Sequence, residues 1–301
     1  MLQILITGAS GFVGKNLSSF FLHYPNFKTY TTSLREENAN EIQIQSSVII
    51  HLAGKAHDLK NVSRPEEYYQ INFELTKKLY DAFLKSEAKK FIFISTVKAV
   101  ADHLNEPLTE VHQPNPQTYY GKSKLMAEEY IRSQALPEGK SYYILRPCMI
   151  HGPGNKGNLN LLYRFVDKGI PYPLAAFKNK RSFLSVENLC FIIKELVECN
   201  DIPSGVYNVS DDEPLSTNQL VSLLSKALNK SPRLLHVPAR LISFAARVGD
   251  FLKLPLNTER LEKLTGNFVV SNQKIKQALK KELPLSAREG ILKTARAFKN
   301  G

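Results

Sequence analysis

Tyr120 and Lys124, four residues apart, make a pair able to move a proton. On a helix they share one face, and a neighbouring ammonium favours the phenolate, drawing the phenol's pKa toward working pH. A tyrosine held that way exchanges the proton of a carbonyl/alcohol pair while a hydride passes to or from the carbon. Tyr119 is not equivalent, because Ser123 stands four positions after it. The apolar run beginning at Phe91 ends in two hydroxyls, Ser95 and Thr96. At a strand's carboxyl end both are expected to face a cleft and steady charge on a substrate oxygen.

Hydride transfer calls for a dinucleotide, and residues 7–14 (TGASGFVG) offer a seat for one. Gly8 permits a tight turn, Gly11 lacks the Cβ that would strike a pyrophosphate, and Gly14 lets a helix pack close to a sheet. Phe12 and Val13 open that helix, whose free N–H groups and dipole favour a diphosphate. Chains that bind NAD usually carry an acid at the end of the second strand, about 20 residues on. Here the sequence reads Thr31-Thr32-Ser33-Leu34-Arg35, with no acid until Glu36. The Ser33 hydroxyl and the Arg35 guanidinium suit a 2′-phosphate, which favours NADP and leaves NAD as the alternative.

These groups need a scaffold. Short apolar runs at 2–7, 27–32, 47–53, 90–96, 142–147 and 205–210 alternate with helical patterns at 12–24, 65–88, 119–133 and 186–199. That alternation predicts an α/β fold, a doubly wound parallel sheet of the Rossmann type. Ser216 and Gln219 predict a capping box opening a helix over 217–228. The division expected is a dinucleotide domain over 1–153, rejoined by 183–210. A smaller, mostly helical substrate domain would take 154–182 and 211–301. The apolar stretch 239–256 contains Arg240, Arg247 and Asp250, which predicts an amphipathic helix or a lid rather than a membrane anchor.

Composition narrows the function classes. The net charge of +12 is spread along the chain without a basic arm or an RNA-binding signature, so no nucleic-acid partner is expected. No apolar run is long enough to span a bilayer and the first residues lack a leader's features, predicting a cytoplasmic protein without membrane insertion. Cys148, Cys190 and Cys199 fit no metal or redox spacing and read as reduced thiols, and His51, His57 and His151 as structural or cleft-lining groups; no metal is expected.

On these motifs the sequence resembles the extended short-chain dehydrogenase/reductase family, in its nucleotide-sugar epimerase and ketoreductase branch. The resemblance covers nearly the whole chain. By it, Leu52, Ala53 and Gly54 of HLAG lie near the adenine and ribose. Asn72 matches an asparagine on the next helix, and LRPCMIHGPG, with Pro147, leads from the cofactor to the substrate. It implies a catalytic set of Thr96, Tyr120 and Lys124, with Thr96 rather than Ser95 as the working hydroxyl. It also implies a nucleotide-diphosphate sugar held by Asn158 and Arg181, and pairing of two copies through helices that include 65–88 and 119–133.

Departures from the family pattern matter too. Members that dehydrate their sugar follow the threonine with Asp-Glu, whereas Val97 and Lys98 stand here. The passage from Arg35 to Val48 is short, and the adenine pocket has no clear place in it. The run STVKAV is similar to a subgroup acting at C4 of UDP-N-acetylhexosamines. The function implied is reduction of a 4-keto group of a UDP-linked sugar, with a 4-epimerase that retains NAD as the alternative. A non-catalytic dinucleotide-binding protein is the remote third reading.

Overall fold

In the computed structural model, residues 1–33, 44–56, 64–104, 106–155, 157–252 and 257–299 are described. The chain starts with β1 (Leu2–Thr7), α1 (Phe12–Phe21), β2 (Phe27–Thr32) and β3 (Val48–His51). α2 (Pro65–Tyr69), a π turn (Gln70–Glu74) and α3 (Leu75–Lys85) form one long helical passage. β4 (Lys90–Ile94), α4 (Tyr119–Ser133) and β5 (Ser141–Pro147) follow, then β6 (Met149–His151), α5 (Asn158–Asp167) and β7 (Phe183–Ser185). α6 (Val186–Glu198) and β8 (Gly205–Val209) return the chain to the sheet. Beyond it lie α7 (Thr217–Ala227), α8 (Ala239–Leu252), α9 (Thr258–Thr265), α10 (Gln273–Leu279) and α11 (Ala287–Lys299).

Period-two alternation explains the layers. Ile4 and Ile6 of β1, Ile92 and Ile94 of β4, and Tyr143 and Leu145 of β5 face one side, packed with Leu17 of α1 and Leu189 and Ile193 of α6. Their neighbours Leu5, Phe91, Phe93 and Ile144 face the other, with Leu79 and Phe83 of α3 and Ala127 and Ile131 of α4. Such strands are apolar on both faces because helices cover both. The sheet is parallel throughout, in the order β2-β1-β3-β4-β5-β8, the doubly wound arrangement the alternation predicts. A separate core joins the helical remainder through Leu159, Tyr163, Leu224, Ile242, Leu261 and Ile291.

Local differences have physical causes. The helix expected over 65–88 holds a π turn at its centre. There the Thr76 hydroxyl donates to the Asn72 carbonyl at 2.7 Å, intruding on the i to i−4 ladder. The first helix stops at Phe21 rather than at residue 24, and the third strand is only Val48–His51. The small parallel sheet of β6 and β7 was not anticipated; strands of three residues leave no periodic signal. The capping box of Ser216 and Gln219 is present and opens α7. Helix α8 covers 239–252 of the expected 239–256, and the last four positions lie outside the described residues.

Candidate active site

The strand order reverses between β1 and β3, which opens a crevice over their carboxyl ends. Gly8 closes the turn after β1 with φ +73°, and a Cβ there would sit 2.6 Å from the Ala53 amide nitrogen. Gly11 caps α1 without a side-chain bond, and no acid stands in the first turn. The N–H groups of Phe12 and Val13 therefore lack partners inside the helix and point toward where an anion would sit. Gly14 was expected to relieve contact with the sheet; a Cβ there would instead strike the Gly8 carbonyl at 2.4 Å and Ala9. The third glycine is needed because the turn folds back on its own helix.

The Leu52 amide donates to the Thr7 carbonyl at 3.1 Å and the Ala53 amide to Thr7 Oγ1 at 3.4 Å, tying HLAG to the glycine turn. Ser33 is exposed one residue beyond β2, while Arg35 and His57 lie outside the described residues. Pro147 ends β5 opposite Val209.

At the end of β4 the two hydroxyls part company. Ser95 is buried and bonds Glu128, whose carboxylate also holds Arg146 through Nε at 3.0 and 3.1 Å and Nη2 at 2.5 Å. It does not face the cleft as expected. Thr96 caps the short 3₁₀ turn Val97–Ala99, accepting from the Lys98 amide at 3.2 Å, and its hydroxyl lies beside the Tyr120 phenol and acts to lower that phenol's pKa. Thr118 caps α4 through the Gly121 amide, which sets Tyr120 and Lys124 on the inner side of that helix. Thr96, Tyr120 and Lys124 thus meet at one place.

The electrostatics differ from the expectation that Lys124 would lower the tyrosine's pKa. Burial pushes Tyr120 up to about 12, opposed by the Thr96 hydrogen bond. Burial likewise pushes Lys124 down to about 8, opposed by nearby Glu128. The reason is where the ammonium is spent: Nζ donates to the Ile94 carbonyl at 2.9 Å and lies 4.6 Å from the centre of the Phe93 ring. Desolvation of a phenolate with no compensating charge in contact outweighs a single hydroxyl bond.

Gly54 and Asn72 complete the cluster. A Cβ on Gly54 would come within 3.0 Å of Asn72 Oδ1 and 3.1 Å of Lys124 Nζ, so β3's exit passes close over the lysine. Asn72, fully buried in the π turn, accepts from the Lys55 amide at 2.7 Å and donates to the Lys55 carbonyl and Ser123 Oγ, both at 3.0 Å. Ser123 in turn donates to the Tyr120 carbonyl at 2.9 Å. Ser123 was missed as a positioning group, although it stands between the catalytic pair in YGKSK.

His51 is structural. Thr76 spends its proton on Asn72 O, so its oxygen accepts from His51 Nε2 at 2.9 Å, and Thr7 donates to Nδ1 at 2.6 Å. Burial first, and the Lys124 charge second, hold this imidazole's pKa down at about 3. His151 is also buried, 2.8 Å from the Thr294 hydroxyl. All three cysteines are free, and among the described residues no group of three or more His, Cys, Asp or Glu side chains could hold a metal.

The two expected substrate residues sit differently. Asn158 is exposed as the first residue of α5. Arg181 Nη1 donates to the carbonyls of Lys263 at 2.9 Å and Gly266 at 3.4 Å, closing the C-terminal end of α9. Its guanidinium has further donors at Nε and Nη2. Lys98, two residues past Thr96, pairs with Asp102 at 3.4 Å and lies 4.6 Å from the Phe268 ring centre. Burial lowers its pKa, with Asp102 opposing and Arg181 and Lys263 adding to the fall. A basic group of Lys98, Arg181 and Lys263 therefore borders the Thr96 end of the site.

Residues 4–210 match the NAD dependent epimerase/dehydratase family. The chain belongs to that family. It is 30% identical to UDP-glucose 4-epimerase of Vibrio cholerae, covering 98% of this chain and 95% of that one. It is also 30% identical to N-acetyl-alpha-D-glucosaminyl-diphospho-ditrans,octacis-undecaprenol 4-epimerase of Escherichia coli O157:H7, covering 91% and 85%. Among solved structures, UDP-glucuronic acid 4-epimerase from Bacillus cereus in complex with NAD superposes with a TM-score of 0.77 at 19% identity over 99% of both chains. As a member of this family the chain is an NAD(P)-dependent enzyme of the epimerase and reductase type, and the glycine turn with its uncapped helix fits such a dinucleotide.

Proposed function

We propose that this enzyme oxidises and reduces C4 of a diphosphate-linked hexose or N-acetylhexosamine, and that its net reaction is 4-epimerisation. The observation that carries the reading is the meeting of Thr96, Tyr120 and Lys124 beside the α1 turn. The dinucleotide, when bound, would supply an acceptor and donor of hydride. Tyr120 would take the proton of the C4 hydroxyl and return it to the C4 oxygen, while Thr96 holds the phenol and stabilises charge on that oxygen. Lys124 would keep positive charge near the phenolate, and Asn72 with Ser123 would fix the start of α4. Arg181 and Lys98 would balance the diphosphate, with Asn158 at the nucleoside side. We place the substrate unit in 154–182 and 211–301, and pairing of two copies along α2–α4.

Epimerisation is preferred because both relatives at 30% identity carry 4-epimerase names. One of them acts on a lipid-linked sugar, so a polyprenol diphosphate stands beside a nucleoside diphosphate as the carrier. A second reading, an NADPH-dependent 4-keto reductase, is favoured by the absence of an acid at the end of β2, where Ser33 stands.

One experiment separates them. Protein purified without added cofactor is analysed by absorbance and mass for bound nucleotide, then given UDP-glucose or UDP-N-acetylglucosamine. Formation of the C4 epimer with no added dinucleotide supports the epimerase. Consumption of added NADPH only with a 4-keto sugar supports the reductase and overturns the first reading.

A further inference from the structure

Helix α8 has two apolar faces where a helix at the edge of a domain needs one. Ile242, Ala246 and Gly249 are buried, and Ile242 and Ala246 join the helical core. On another side Leu241, Phe244, Val248 and Phe251 recur at helical spacing and stand 60%, 68%, 38% and 87% exposed. Leu252 adjoins them, also exposed. At 3.6 residues per turn these side chains share an arc of roughly 100°. One exposed apolar residue is ordinary; a stripe with two phenylalanines marks a contact surface.

Charge identifies the partner. Arg240 and Arg247 are exposed, seven residues apart, and border the stripe along one edge. The helix's single acid, Asp250, is turned away: it accepts from the Thr258 amide at 2.9 Å and from the Thr258 hydroxyl, at the start of α9. The whole chain carries +12. A second copy packed antiparallel, about a twofold axis perpendicular to the helix, would bring the two arginine edges together and set like charges side by side. An anionic partner has no such cost. Among the described residues no helix is long and apolar enough to cross a membrane. The 14 residues of α8 reach roughly 21 Å against a hydrocarbon core of about 30 Å. The helix would have to lie in the surface plane.

We propose that the outer face of α8 docks on an anionic phospholipid bilayer. Phe244 and Phe251 enter the boundary between headgroups and acyl chains, and Arg240 and Arg247 meet lipid phosphates. This surface stands on its own residues and does not depend on which reaction the site performs.

The chain has no tryptophan, so Phe251→Trp gives a single reporter. That variant is mixed with vesicles of phosphatidylcholine alone or of phosphatidylcholine with phosphatidylglycerol, and flotation of the wild type is followed in parallel. The expected result is a blue-shifted emission and flotation with the anionic vesicles only, weakened by salt. Both Phe244→Ser/Phe251→Ser and Arg240→Glu/Arg247→Glu should lower vesicle binding by about tenfold with an unchanged circular dichroism melt. Failure of the wild type to float with anionic vesicles overturns the proposal. So does light scattering that finds a wild-type dimer which the phenylalanine pair converts to monomer, since a second copy would then own the face.

Discussion

The end of β4 and the region around α9 both carry cations beside the crevice, but they hold them in opposite ways. Lys124 is buried, and its ammonium is fixed by the Ile94 carbonyl and the Phe93 ring. Around α9 the cations are peripheral: Arg181 binds two helix-end carbonyls, and Lys263 pairs with Glu259 in the open. The first region spends stability to fix one geometry, because proton transfer tolerates little displacement. The second groups charge for a ligand that carries most of the recognition in its own phosphates. Substitutions should therefore act on turnover at β4 and on binding at α9.

The largest effect expected is at Tyr120. Tyr120→Phe removes the proton carrier and leaves the ring, and turnover should fall about 10²–10⁴-fold. Dinucleotide binding, measured by fluorescence titration, should stay close to wild type. Unchanged turnover would remove the assigned role and with it the contrast between the two regions.

Behind the pair lies Glu128, fully buried and shared by Ser95 and Arg146. Glu128→Gln leaves the Arg146 guanidinium buried without its counter-charge, which costs about 3–5 kcal/mol. Urea denaturation should report that loss in the midpoint. A variant as stable as wild type would mean the catalytic end of α4 is not braced in this way.

Much of this division was legible before any coordinates. The strands announce themselves because a sheet covered on both faces needs near-continuous apolar runs, as in Val48–Ile50 of β3 and Phe91–Ile94 of β4. The glycine turn and the Tyr120/Lys124 pair are local spacings, and local spacing survives in one dimension. What did not survive is anything decided by a distant partner. Ser95 and Thr96 look alike in sequence, and only Glu128, 33 residues on from Ser95, separates their roles. The two hydroxyl partners of His51, Thr7 and Thr76, stand 44 and 25 residues from it, and Arg181's hold on α9 joins residues more than 80 apart. The upward shift of Tyr120 is likewise a property of burial, which four-residue spacing does not encode.

His51 sharpens the comparison from the side of stability. Its folded pKa of about 3 lies below the ordinary 6.5, so between those values the unfolded chain binds a proton the native one excludes. Stability should fall as pH drops below 6.5, by about 2–3 kcal/mol over the first two units. His51→Gln should be less stable near neutrality and show a flatter acid limb in melts taken across that range. A limb as steep as wild type would assign the acid loss to other groups.

The smallest effect expected is at Arg181. Two of its donors already close α9, so Arg181→Gln loses charge from a group that also includes Lys98 and Lys263. The diphosphate would keep partners, and KM should rise about tenfold, worth roughly 1.4 kcal/mol. Turnover at saturation should stay within a small factor, because the Arg181 guanidinium bonds the carbonyls at the end of α9 rather than Tyr120 or Thr96. Steady-state kinetics over a range of salt would show the difference: wild-type KM should climb with ionic strength, and the variant's should climb less. A fall in kcat with KM unchanged would put Arg181 in the same functional unit as β4, and the separation of turnover from binding would fail.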